Sequence, residues 1–168
     1  MPAYNFQKQF VPMILDGLKP HTIRRRRKHP TKAGDVLFLY SGMRTKSCQL
    51  FAKVPCLFIT PIEIGLKEGN HAIWSPVQFV IDGKTHKCMR RWTISEMYVL
   101  AFKDGFKNID SFFAFFRRYK QQLLEDFEIV WWNPKDLTPF GDASLAAFPQ
   151  ISQNAGVFGG RKYEEWNR

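Results

Sequence analysis

The chain has 168 residues, 45% of them hydrophobic, which is enough apolar surface to close a core within one domain without disulfide or metal staples. It holds 25 Lys and Arg against 15 Asp and Glu, a formal charge of +10, and three cysteines (Cys48, Cys56, Cys88) whose odd count and spacing argue against a disulfide framework or a zinc site. No run approaches the roughly 18 apolar residues of a membrane span, and the start Met1-Pro2-Ala3-Tyr4-Asn5 lacks the basic and apolar regions of a secretory signal, so the expectation is a cytoplasmic protein without a membrane partner.

In chain order, Tyr4 to Gln7 reads as a short strand. Phe10, Met13, Ile14 and Leu18 make a helical stripe over 9–16, with Pro12 in its first turn and Gly17 as its terminator. His21 to Arg24 is extended, Gly34-Asp35 turns, and Val36 to Tyr40 is a buried strand that Ser41-Gly42 ends. Residues 46–60 form a long strand with an edge or bulge at Pro55. Residues 71–91 form a hairpin about an Asp82-Gly83 turn. Thr93 and Glu96 make a capping box for a helix through Met97, Leu100 and Ala101 that Gly105 closes. Asp110 caps a second helix with the stripe Phe112, Phe116, Tyr119 and Leu123, and Phe127 to Trp132 is the last strand. Elements in this order give no βαβ repeat, so the fold expected is α+β, a mainly antiparallel, curled sheet. Residues 134–168, with Pro134, Pro139 and Pro149 and no periodicity, read as an irregular C-terminal extension whose Phe140, Phe148, Phe158 and Trp166 pack on the domain.

The charge is concentrated. Residues 1–53 hold 11 cations and two acids, against 14 and 13 in the remainder, and Arg24, Arg25, Arg26, Arg27 and Lys28 are consecutive. Such a field attracts polyanions, and arginine suits forked phosphate contacts. A free nucleoside gains little from it, whereas a polymer gains at every phosphate. RNA or a modified nucleoside is therefore the expected partner, with DNA as a further candidate.

The segment Lys19-Pro20-His21-Thr22-Ile23-Arg24 leaves a helix and enters a strand, so its side chains can converge at the mouth of a sheet. Lys19 can anchor a phosphate or, desolvated among cations, act as a base that activates the Thr22 hydroxyl. Ser41 and Gly42 can present backbone N–H groups to a ligand. Trp131 and Trp132 face opposite sides of the last strand; one joins the core and the other can stack a base, and Trp132 completes the pocket candidate with Ser41 and Gly42. His21, His29, His71 and His86 lack metal-ligand spacing, and the glycines form no phosphate-cradling loop, so neither a metal nor a cofactor is expected.

The run Phe10…Ile14-Leu15-Asp16-Gly17-Leu18-Lys19-Pro20-His21-Thr22-Ile23-Arg24 followed by Gly34-Asp35-Val36-Leu37 resembles the signature of the ASCH domain family, and Ala101-Phe102-Lys103-Asp104-Gly105-Phe106 resembles its second element. The resemblance covers residues 4–133 and implies a PUA-like β-barrel with flanking helices, with the hairpin inserted about 71–91. The first block is similar to that of bacterial N4-acetylcytidine amidohydrolases. That similarity implies a nucleophilic Thr22, a basic Lys19 and an Asp104 that orients the lysine or moves protons, acting on the amide of an acetylated cytidine. Asp104 stands where those enzymes have a glutamate and is one methylene shorter. The alternative expectation is a non-catalytic module that holds a flipped or unpaired base of RNA or DNA while Arg24 to Lys28 grip phosphates.

Overall fold

The computed structural model describes residues 1–67, 70–81 and 83–140. The chain runs β1 (Ala3–Phe6), α1 (Val11–Leu15), β2 (His21–Arg25), β3 (Val36–Ser41), β4 (Gln49–Gly65), β5 (Ala72–Ile81), β6 (Lys84–Arg91), α2 (Ile94–Lys103), α3 (Ile109–Arg117), β7 (Leu123–Trp132) and β8 (Thr138–Pro139). The architecture is α+β, one sheet of eight strands that is antiparallel except where β1 lies parallel to β3.

The long strand β4 makes the corner. Its first half pairs with β3 and β8, its second half with β7 and β5. The register against β7 shifts between Cys56 and Phe58, just after Pro55, whose missing N–H cannot serve a continuous ladder. This curls the sheet, yet among the described residues no backbone ladder joins β1 to β2, so the expected barrel is corrected to an open curl. The physical reason lies in the gap. Arg24 donates from Nη2 to the carbonyl of Asn5 (2.7 Å), and Arg27 donates from Nη2 to that of Ala3 (2.6 Å). Their guanidinium groups also lie over the Phe6 and Tyr4 rings, at 5.2 and 4.4 Å. Long side chains fill the seam where two backbones would have to approach to roughly 4.8 Å.

Period-2 alternation along β7 divides the interior. Val130 and Trp132 enter a cluster with Tyr4, Phe6, Leu37, Leu39, Phe51 and Ile14 on one face of the sheet. Phe127, Ile129 and the half-buried Trp131 face the other side, where α2 and α3 bring Met97, Leu100, Phe112, Phe113 and Phe116 over Ile23, Ile62 and Ile64. Thr93 and Glu96 make both bonds of the capping box of α2. Helix α3 differs from expectation at both ends. Its cap is Asn108, whose side chain accepts from the Ser111 N–H (2.8 Å), and Asp110 lies in the first turn, where an acid favours the helix dipole. The helix stops at Arg117, and Lys120 takes a positive φ of 55°, so Tyr119 and Leu123 fall outside it. Tyr119 still packs on Phe127, ring centroids 5.1 Å apart, and Leu123 opens β7, which explains the stripe that continued past the helix.

The extension begins on the sheet: β8 pairs with Ala52 and Lys53, and the Phe140 N–H donates to the carbonyl of Phe51 (2.8 Å). Lys53 Nζ stands 4.4 Å over the Phe140 ring. Phe148, Phe158 and Trp166 lie outside the described residues.

Candidate active site

Two chain ends meet to make the site. After α1, the N–H groups of Leu18 and Lys19 both donate to the carbonyl of Met13 (2.9 and 3.0 Å), a tight reversal that Gly17 permits with φ +74°. The reversal sends Lys19 inward, and Trp132 N–H to Pro20 O (3.0 Å) fixes the start of β2 against β7. From the other side, Asp104 ends α2 as its C-cap, and Gly105 turns the chain away with φ +93°.

Lys19 is 3% exposed, and its ammonium donates to the carboxylate Oδ1 of Asp104 and to the Asp104 backbone oxygen (2.8 Å). It also stands 5.1 Å over the Phe10 ring. Two oxygens at the negative end of a helix and an aromatic face thus receive a buried cation. The shorter carboxylate of Asp104 therefore still reaches the lysine, because the cap position brings the backbone itself into contact.

Burial pushes the Lys19 pKa down against the attraction of Asp104, and the nearby Arg24 lowers it further. Burial likewise raises the Asp104 carboxyl against the pull of Lys19. Both shifts favour the neutral forms, so the pair holds a proton that either member can carry.

His21 is fully buried with neither ring nitrogen hydrogen-bonded, and its Nε2 lies 3.6 Å from Asp104 Oδ1. Its ring is tilted against Trp131 at 4.6 Å, and Trp131 stacks on Phe58 and donates from Nε1 to Thr60 Oγ1 (3.1 Å). Desolvation, with Lys19 and Lys103 nearby, holds the imidazole neutral well below its ordinary titration range. A test for metal-ligand spacing could not have found this residue. The signal was its pairing in a strand opposite Trp131, on the face that α2 covers.

The depressed histidine has a consequence for folding. The unfolded state takes up a proton near pH 6.5 and the folded state does not, so stability is complete above that value and falls as pH drops below it. The expected slope is about 1.4 kcal/mol per pH unit below about pH 6 from this one group. Urea unfolding between pH 7.5 and 5 should show it, and His21→Leu should flatten the profile; equal slopes in both proteins would remove His21 as the cause.

Thr22 is buried on the opposite face of β2. Its Oγ1 accepts from Arg24 Nε (3.0 Å), and among the described residues no hydrogen bond joins it to Lys19 or Asp104. The structure thus links Lys19 with Asp104, and Thr22 with Arg24. The charge of Arg24 is felt by both members of the buried pair, which connects the two couples electrostatically.

Ser41 is buried opposite Phe6 in the β1–β3 register, and Gly42 turns with φ +63° into a loop where Thr45 and Ser47 bond each other. Trp132 is buried in the core, its Nε1 without a partner and its ring edge-on to Phe6 at 6.3 Å. Of the two tryptophans, Trp131 is the one beside His21.

The arginines do not form a bare polycation. Beyond the seam contacts of Arg24 and Arg27, Arg25 reaches Asp126 (3.9 Å) and Arg26 reaches the buried Glu128 (3.7 Å). Arg27, Lys28, His29, Thr31 and Lys53 then line an open groove of about 1060 Å³ with Phe38 and a single acid, Asp35.

Among the described residues no group of three or more His, Cys, Asp or Glu is placed to hold a metal ion, and no helix is long and apolar enough to cross a membrane. Comparison of the chain with family models, curated proteins and solved structures finds no significant match.

Proposed function

We propose that the protein is an ASCH-type, PUA-like hydrolase that cleaves the amide of an acylated pyrimidine, with N4-acetylcytidine, free or within RNA, as the leading substrate. The observation that carries this reading is the buried contact between Lys19 and Asp104, two residues 85 positions apart that share one proton-exchanging pair. A structural ion pair needs no neighbour able to react. Here a hydroxyl lies three residues along the chain, and the arginine bonded to it also acts on the pair.

In the proposed reaction, Thr22 Oγ1 attacks the acyl carbon and its proton passes to neutral Lys19. Arg24, donating to that oxygen, favours the developing alkoxide. The C–N bond breaks as the lysine returns the proton to the departing amino group, and water then releases acetate from the acyl-threonine. Asp104 holds Lys19 in place and exchanges the proton with it.

The test is chromatography of N4-acetylcytidine incubated with purified protein. Turnover is expected, with a loss of about 10²–10⁴-fold in Lys19→Ala and in Thr22→Ala. No turnover by the wild type at high enzyme concentration overturns this reading.

The groove supports a second reading, a module that binds RNA or DNA by its phosphates. Its cations outnumber its single acid, and Phe38 and Pro30 offer faces against which bases can lie. Affinity would then fall steeply with salt and be indifferent to Thr22→Ala.

A further inference from the structure

The hairpin of β5 and β6 takes no part in the site. Strand β5 pairs with β4 only through Ala72, Ile73 and Trp74, opposite Gly65, Ile64 and Glu63. From Ser75↔Arg90 to Ile81↔Lys84 its only partner is β6, a run of seven rungs. At 3.4 Å per residue the ribbon projects roughly 24 Å from the sheet.

An isolated two-stranded ribbon is marginal in water, so its root must hold it. The root is heavily tied. Trp74 lies so close to Gly65 that an added Cβ there would meet its ring at 2.7 Å. Trp92 donates from Nε1 to Ser75 Oγ (2.9 Å) and from its backbone to Ile73 O (2.8 Å). Arg90 forks onto Glu96 (3.1 and 3.0 Å), and Arg91 donates to Asn70 Oδ1 (2.8 Å).

Beyond this root every residue of β6 is exposed. The two strands carry Lys84, Lys87, Arg90 and Arg91 and no acid. The arginines are engaged at the root, which leaves the lysines as the cations towards the tip. Lysine on an edge strand also deters strand addition, but that purpose does not require a projection of this length.

Residues directly opposite each other share a face. The pairs Gln78↔Lys87 and Val80↔Thr85 therefore present an amide, an ammonium, a hydroxyl and an exposed apolar group side by side, with Val80 68% exposed. These are the chemical types that read base edges: an amide for adenine, a cation for guanine, and an apolar group for the thymine methyl. The major groove of B-form DNA, about 12 Å wide, admits a two-stranded ribbon, whereas that of A-form RNA is too narrow. We infer that the β5–β6 ribbon is a docking arm for duplex DNA. It seats in the major groove with Gln78, Val80, Thr85 and Lys87 towards the bases and Lys84 at a phosphate.

The inference stands apart from the hydrolase reading and has its own assay. Anisotropy of a labelled 20-base-pair DNA duplex is measured for wild type and for the Lys84→Ala/Lys87→Ala variant, beside an RNA duplex of the same sequence and polyglutamate as competitors. Both substitutions lie on exposed positions. Wild type is expected to prefer the DNA duplex. The variant should bind it about tenfold more weakly, with the slope of log K against log salt smaller by about 1.8. Gln78→Ala should weaken DNA binding without changing that slope. Equal affinity for the two duplexes, equal competition by polyglutamate, or unchanged binding by the double variant overturns the inference. Hydrolysis of free N4-acetylcytidine by the ribbon variants stays at the wild-type level, so failure of either reading shows in a separate measurement.

Discussion

Replacing Asp104 by leucine alone is expected to destabilise the fold by about 3–5 kcal/mol. The substitution strips Lys19 of its carboxylate partner while leaving it buried at 3% exposure, with one backbone carbonyl and one aromatic ring for company. The lysine must then either neutralise or drag its surroundings open to water. Pairing Asp104→Leu with Lys19→Met should restore most of the loss, because a buried ion pair replaced by apolar side chains of similar volume is commonly neutral or better. Urea unfolding of the two single variants and the double variant measures the coupling directly. A cost below about 1 kcal/mol for Asp104→Leu would place the pair among solvent-screened surface bridges. If the double variant is stable but inactive on N4-acetylcytidine, the pair is retained for chemistry and not for folding.

Gly105→Val should cost a further large amount, about 2–5 kcal/mol, from two sources that add. The backbone there has φ +93°, a region in which a β-branched residue is strained by roughly 1–3 kcal/mol. A Cβ would also stand 2.8 Å from the Phe10 ring and 3.2 Å from Met13 Sδ, and overpacking of this kind costs about 1–3 kcal/mol. Phe10 is the ring beneath the Lys19 ammonium, so the damage reaches the site. Gly83→Val is the control: φ is +71°, but nothing lies within 4 Å of the added atom, so only the strain remains. Thermal unfolding of the two variants should separate strain from crowding; equal losses would mean that Phe10 and Met13 give way freely.

Much of the fold could be read from local chemistry. The capping box at Thr93, the terminator Gly17 and the turn that ends at Gly83 each describe a backbone event determined by a few adjacent residues. The length of α3 could not be read this way, because Tyr119 and Leu123 continue a helical spacing while packing from a turn and a strand. Closure of the sheet was equally illegible. It depends on whether arginine side chains or backbone groups occupy one gap, which no periodicity records. Within the site, Lys19 and Asp104 came from motif resemblance, and the structure sets them in contact. His21 was hidden because its importance comes from what it lacks, a partner for either ring nitrogen. The tryptophan beside the site depends on strand register, and a shift of one residue would exchange the two faces.

The arginine seam ties two selective pressures to the same residues. Arg24 and Arg27 stand three positions apart and close the gap to β1 by bonding its carbonyls and covering its rings. Lysine could match their charge but has neither the planar face nor the fork for both tasks. The intervening Arg25 and Arg26 are free to vary only as far as Asp126 and Glu128 allow. A tract that looks interchangeable in sequence is thus a row of positions with unequal tolerance, where drift towards weaker polyanion affinity at two of them would loosen the sheet before it altered any ligand.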